Sequence, residues 1–127
     1  MEKKIIQSSQ APIPVGPYNQ AVIVGRLVYL SGQIPINPAT NELVPGDIAD
    51  QTEQVLKNIK AVLQQAGSSL AEVVKTTVFL KNMNDFSKMN EVYAKYFSLD
   101  IAPARSTIEV ARLPKDALVE IEVVAIL

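Results

Sequence analysis

Two stretches of this chain repeat with a helical period while six read as strands, and that imbalance is the tightest constraint on its fold. From Asp47 onward, Thr52, Val55, Leu56, Ile59, Val62, Leu63 and Ala66 fall on one helical stripe. Asp47 is placed to cap this helix, and Gly67 follows its last periodic residue as a terminating glycine should. A second stripe, Phe86, Met89, Tyr93, Tyr96 and Phe97, follows Asn84, its expected cap. Strands are expected at Lys4–Gln7, Ala21–Val24, Leu27–Ser31, Glu72–Leu80, Arg105–Val110 and Leu118–Ala125. Gly25-Arg26 suits a two-residue type II′ hairpin between the second and third of these. Ala11–Tyr18 reads as a Pro-rich loop, Gly32–Gly46 as a long loop, and Pro114-Lys115-Asp116 as the last turn.

The order β-β-β-α-β-α-β-β describes an α+β fold, one sheet with two helices that can cover only one of its faces. Several strands are nevertheless apolar on both sides. In the last, Val119, Ile121, Val123 and Ala125 alternate with Glu120, Glu122, Val124 and Ile126. The uncovered face must then expose an apolar patch, the usual mark of an interface. The pattern predicts an obligate oligomer packed sheet to sheet and leaves the number of subunits open. No repeat or linker interrupts the chain, so residues 1–127 are read as a single domain.

Composition removes several kinds of chemistry. There is no Cys and no His, which excludes a thiolate nucleophile, a Ser-His-Asp triad and a zinc site of the His/Cys/Cys kind. What remains is carboxylates, Arg, Lys, Tyr, hydroxyls, backbone groups and water. The net charge is −1 and the basic residues are dispersed, so no stripe supports nucleic-acid binding. Only Ile5 and Ile6 follow the basic start, and Glu120 and Glu122 break the apolar end. Neither end offers a secretory or membrane-spanning segment, and a cytoplasmic protein is expected.

Four clusters could carry function. In Pro103-Ala104-Arg105-Ser106-Thr107, the side chains of Arg105, Thr107 and Glu109 share one strand face. An Arg at the edge of a buried sheet must find an anion, because an unpaired charge there is costly. It could pair with Glu120 or Glu122 on an adjoining strand, or clamp a substrate carboxylate in the bidentate geometry that guanidinium serves best. Glu120 could be a solvent-facing edge residue or a carboxylate that orients water beside Arg105. Tyr18, flanked by Gly16-Pro17, could pack on the surface or wall a pocket. Ser31-Gly32 could end a strand or point an N–H and a hydroxyl at an anion.

Together, Gly16-Pro17-Tyr18-Asn19-Gln20-Ala21, Ser31-Gly32-Gln33-Ile34-Pro35, Val74–Phe79, Asn90-Glu91-Val92-Tyr93 and Pro103-Ala104-Arg105-Ser106 through Leu113-Pro114-Lys115 closely resemble the YjgF-type family of reactive-intermediate deaminases. These are the 2-iminobutanoate/2-iminopropanoate deaminases, and the resemblance covers essentially the whole chain. It implies a chorismate-mutase-like fold with one mixed sheet, a homotrimer, and sites in the clefts between subunits. It also implies roles. Arg105 holds the carboxylate of a 2-imino or enamine acid and Glu120 places the hydrolytic water. Tyr18, Ser31, Gly32 and Asn90 line the same cleft. Thr107 stands where many members carry Cys, and is expected to act through its backbone carbonyl.

The implied reaction turns 2-iminopropanoate and 2-iminobutanoate into 2-oxo acids and ammonia, disposing of intermediates released by pyridoxal-phosphate-dependent dehydratases. An iminium carbon is already electrophilic, so no metal or cofactor is expected. The competing reading is a regulatory protein that binds a small carboxylic acid in the same clefts. RNA cleavage has been attached to relatives, but this chain has neither a basic stripe nor a His to support it.

Overall fold

The structure is a computed structural model covering residues 1–127. The strands are β1 (Lys3–Ile6), β2 (Ala21–Val24), β3 (Leu27–Gln33), β4 (Ile36–Asn37), β5 (Glu42–Leu43), β6 (Val73–Leu80), β7 (Ala104–Glu109) and β8 (Val119–Ile126); the helices are α1 (Ile48–Ala66) and α2 (Phe86–Tyr96). Six strands form one sheet in the order β1-β2-β3-β8-β6-β7, and β4 and β5 form a separate small hairpin. β6 and β7 are parallel and every other neighbouring pair is antiparallel, so the sheet is mixed. A parallel pair needs a crossover, which α2 supplies.

α1 forms where local signals agree. The Asp47 carboxylate accepts from Ala49 N (3.0 Å) and Asp50 N (3.2 Å), while Asp50 accepts from Asp47 N (3.1 Å), a reciprocal capping box. Gly67 ends the helix at φ 84°, a left-handed position that favours glycine. Val55, Leu56, Ile59, Val62 and Leu63 are fully buried against the sheet. They meet Val28, Leu30, Val78, Leu80, Val119, Ile121, Val123 and Ala125 in a single core. The β2–β3 turn has φ 61° at Gly25 and no positive φ at Arg26, as a type II′ turn requires.

Three sequence expectations are corrected. Residues 32–46 are not one loop. β3 runs on to Gln33 and the β4–β5 hairpin follows; its two-residue strands are too short to display a period of two. Asn84 does not cap α2. A short 3₁₀ turn at Met83–Asp85 precedes the helix, and Asn82 caps that turn by accepting from Asn84 N at 2.9 Å. Arg105 cannot pair with a neighbouring strand's Glu120 or Glu122, because β7 adjoins β6 and not β8.

The core row of β8 faces the helices, so Glu120, Glu122, Val124 and Ile126 face away from them. Register carries this outer face across the sheet, from Ile5 to Val22, Tyr29 and Val124. Tyr29 is 43% exposed and Ile5 55% exposed. An aliphatic and aromatic row therefore stands in solvent on the side opposite α1 and α2, as the two-faced apolar pattern predicts.

Candidate active site

Arg105 starts near the beginning of edge strand β7, opposite Thr76 of β6. Its side chain turns to the helix side of the sheet, where Nη1 donates to Asn90 Oδ1 of α2 at 2.7 Å. The guanidinium lies 4.7 Å from the Tyr93 ring centroid and 5.4 Å from that of Phe86. Phe86, Asn90 and Tyr93 stand three and four residues apart, one above another on α2. The Tyr93 hydroxyl is fixed by the buried Thr76 Oγ1 at 2.7 Å. Burial raises its pKa, so the ring stays neutral beside the cation.

The aromatic pair and the amide orient Arg105, but none of them neutralises it. The chain's two salt bridges are Lys81–Asp116 and Lys88–Asp47. A half-buried, aromatic-held guanidinium without a carboxylate partner is an anion site in waiting. Thr107 lies two residues along the same face, and its buried Oγ1 has no hydrogen-bond partner. β7 pairs with β6 alone, so its outer backbone edge is unpaired.

Glu120 lies on the other face of the sheet. It sits over Gly32: a Cβ built on that glycine would overlap the Glu120 carboxylate, standing 2.8 Å from its Cδ and 3.1 Å from its Cγ. The approach is made by a β-bulge. Leu30 pairs with Val123 and Gln33 with Ile121, so Ser31 and Gly32 together oppose one residue of β8. Burial first, and the charge of Glu122 second, raise the Glu120 pKa above the ordinary glutamate value.

Ser31 and Tyr18 belong to this second group. The Ser31 hydroxyl donates to Asn19 O at 2.6 Å and its N–H to Gln20 O at 2.9 Å. Both donors are thus spent on holding the loop rather than offered to an anion. Tyr18 follows a γ-turn, its N–H bonded to Gly16 O at 2.9 Å, and it lines one cavity with Gly32. The buried Gln20 amide fixes the loop's other end, accepting from Ser8 N at 2.6 Å and donating to Pro12 O at 2.8 Å. Gln20 gave no chemical signal in the sequence, since its whole role is to satisfy loop backbone. Phe86 and Tyr93 were visible only as helix stripe, and Asn90 proves to be the partner of Arg105.

The sequence-derived residues thus fall into two half-sites. Arg105, Asn90 and Thr107 lie on the helix side, and Glu120 lies over Gly32 on the opposite face, beside Ser31 and Tyr18. One chain does not bring its arginine and its acid together.

Fold and half-sites define a small α+β protein with an anion-seeking arginine at a sheet edge. The chain belongs to the Endoribonuclease L-PSP family, whose model matches residues 8–127, and so to the group that includes the RutC and Rid proteins. A RutC family protein of Pyrococcus horikoshii is 58% identical over 123 residues, covering 97% of each chain. One from Synechocystis is 55% identical over 128 residues, covering 100% of this chain and 98% of the relative. Among solved structures, YyfA of the Rid family from Yersinia pestis is 55% identical with a TM-score of 0.96, covering 99% of this chain and 100% of its own. E. coli TdcF, solved with bound serine, is 46% identical with a TM-score of 0.92, covering 98% of each chain.

Proposed function

We propose that this protein hydrolyses small 2-imino acids, 2-iminopropanoate and 2-iminobutanoate among them, to 2-oxo acids and ammonia. The sites lie between the subunits of a homotrimer in the cytoplasm. The observation that carries this reading is the oriented but unneutralised guanidinium of Arg105. Its fork matches a carboxylate bidentately and would hold the adjacent imine carbon in place for attack. Asn90, Tyr93 and Phe86 keep the fork in one orientation, and Thr107 lines the same side.

The acid comes from the neighbouring subunit. Glu120, its pKa raised by burial and by Glu122, takes a proton from water as the water oxygen adds to the iminium carbon. It returns that proton to the nitrogen of the carbinolamine. Glu120, again a carboxylate, takes the hydroxyl proton as the C–N bond breaks and C=O forms; ammonia leaves and carries that proton away as ammonium, so one water is consumed for each nitrogen released. No metal-bound hydroxide is required, because the iminium carbon is electrophilic already.

The test generates the imine from threonine or serine with a pyridoxal-phosphate-dependent dehydratase and follows 2-oxo acid formation. Arg105→Ala is expected to lower kcat/KM by about 30-fold or more, the scale of truncating one partner of a desolvated charge pair. Equal rates for the two proteins end the enzymatic reading.

A second reading has one observation in its favour: the carboxylate clamp is built without Glu120, on the opposite face, as a binding protein would need. The serine bound in E. coli TdcF also fits a small-acid receptor. Glu120→Gln separates the two, because an enzyme loses turnover with binding intact whereas a receptor loses neither.

A further inference from the structure

A cavity of about 280 Å³ opens between the Pro-rich loop, residues 33–36 and the turn at Pro114-Lys115. Tyr18 and Gly32 belong to its lining, and Gly32 is the residue against which the Glu120 side chain sits. Its volume holds several waters, far more than the one- or two-carbon side chains of 2-iminopropanoate and 2-iminobutanoate fill. The walls include Ile34 and Ile36. α1 holds them in place, Asn58 Nδ2 donating to Ile36 O at 2.9 Å.

Tyr18, Gln20, Asn41, Gln33 and the exposed Lys115 also line the cavity, and the last two matter most. Gln33 is 6% exposed, and its side-chain amide forms no hydrogen bond within the chain although it lines the cavity. Every other buried glutamine is engaged: Gln20 with the 8–12 loop and Gln51 with Leu118 N at 2.8 Å. Lys115 reaches the cavity from a left-handed backbone at φ 55°, followed by Asp116 at φ 57°. Two successive non-glycine residues there are uncommon and costly, and such outliers concentrate at functional sites. Asp116 is bound to Lys81 at 2.8 Å, so the Lys115 ammonium is left with no carboxylate of the chain.

An aliphatic ligand end would seal off the Gln33 amide unpaired, an arrangement buried polar groups avoid. An ammonium donates only, and the Gln33 amide nitrogen donates as well, so a carboxylate, which only accepts, can take both donors together. We propose that this cavity receives the distal carboxylate of a dicarboxylic 2-imino acid, bound by Lys115 and Gln33 with its aliphatic spacer against Ile34 and Ile36. This rests on the imine-hydrolysis reading above. Arg105 takes the carboxylate next to the reacting carbon, and the distal one selects the substrate.

The test compares 2-iminoglutarate, generated from glutamate by an amino-acid oxidase, with 2-iminobutanoate. Wild type should show at least a tenfold higher kcat/KM for 2-iminoglutarate. Lys115→Met should abolish that advantage and leave 2-iminobutanoate hydrolysis within twofold; Gln33→Leu should do the same. A wild-type ratio near one, or a ratio unchanged in Lys115→Met, overturns the proposal while the deaminase reading stands. If neither imine is hydrolysed, the deaminase reading falls and calorimetry decides the cavity. Tenfold tighter binding of 2-oxoglutarate than 2-oxobutanoate, lost in Lys115→Met, supports it; equal binding refutes it. Stronger binding of 2-oxoglutaramate, whose distal end is an uncharged amide, than of 2-oxoglutarate also refutes the carboxylate assignment.

Discussion

Substituting Gly32 by Ala probes the proposed role of Glu120 without touching the acid. Gly32 has no positive φ, so its backbone accepts alanine without strain. The added methyl instead meets the Glu120 side chain, which supplies its three nearest atoms, overlapping the carboxylate and lying 2.8 Å from Cδ and 3.1 Å from Cγ. The obstacle is the far end of a flexible, half-buried chain, which yields by rotating. An off-rotamer χ costs about 0.5–1.5 kcal/mol, below the ~1–3 kcal/mol of overpacking a rigid core. At about 1 kcal/mol the melting temperature falls by roughly 2–8 °C. The rate should suffer much more, since a displaced general base forfeits about 10²–10⁴-fold. The assay is 2-oxo acid formation from enzymatically generated imine, beside a thermal melt. Glu120→Ala combined with Gly32→Ala should be no slower than Glu120→Ala alone, because both remove the same group. Wild-type turnover in Gly32→Ala, or losses that multiply in the double variant, would refute the reasoning.

Three further outcomes follow from the geometry. Glu120 must be ionised to act as a base, so activity should fall as pH drops through its raised pKa; Glu122→Gln removes one of the two raising causes and should move that acid limb of the kcat profile to lower pH. Val124→Asp places a charge at the central-strand end of the apolar row; sedimentation should report a smaller species, and that species should make no 2-oxo acid even with Arg105 intact. Arg105→Ala and Glu120→Ala, each strongly impaired alone, should recover about a quarter of wild-type activity when co-refolded at equal amounts, since one random subunit contact in four joins an intact Arg105 to an intact Glu120. Zero recovery would put both residues of each site on one chain.

What the sequence made legible was local. The α1 stripe, its Asp47 cap and Gly67 stop, and the Gly25 hairpin all depend on residues within a few positions of one another, and all stand in the structure. So does the alternation that places Arg105 with Thr107 on one strand face and Glu120 with Glu122 on another. The order of strands across the sheet was not legible. That order is fixed by contacts far apart in sequence, and it puts β6 between β7 and β8. Hence an ion pair from Arg105 to Glu120 or Glu122 looked available when it is not. The Ser31–Gly32 bulge left no trace either, because a bulge is a mismatch between two strands and neither strand shows it alone. The unbonded Gln33 amide and the clamp of Phe86 and Tyr93 on Arg105 likewise became visible only with the fold.

Three features are hard to reconcile with a solitary chain: an apolar row exposed across a sheet face, a half-buried guanidinium without an anion, and an acid of raised pKa on the wrong side of the sheet to meet it. Each is unfavourable or idle by itself. The proposed trimer answers all three with one contact. Joining subunits through the outer face removes the row of Ile5, Val22, Tyr29 and Val124 from water, the term that drives association. That same face carries Glu120, so burying it brings the acid to an interface. The edge of β7 carries Arg105 and is unpaired, free to approach a neighbour. A C₃ ring formed this way creates a site at every contact. Stability and catalysis then depend on a single interface, which is why loss of the apolar row and loss of turnover are expected to occur together.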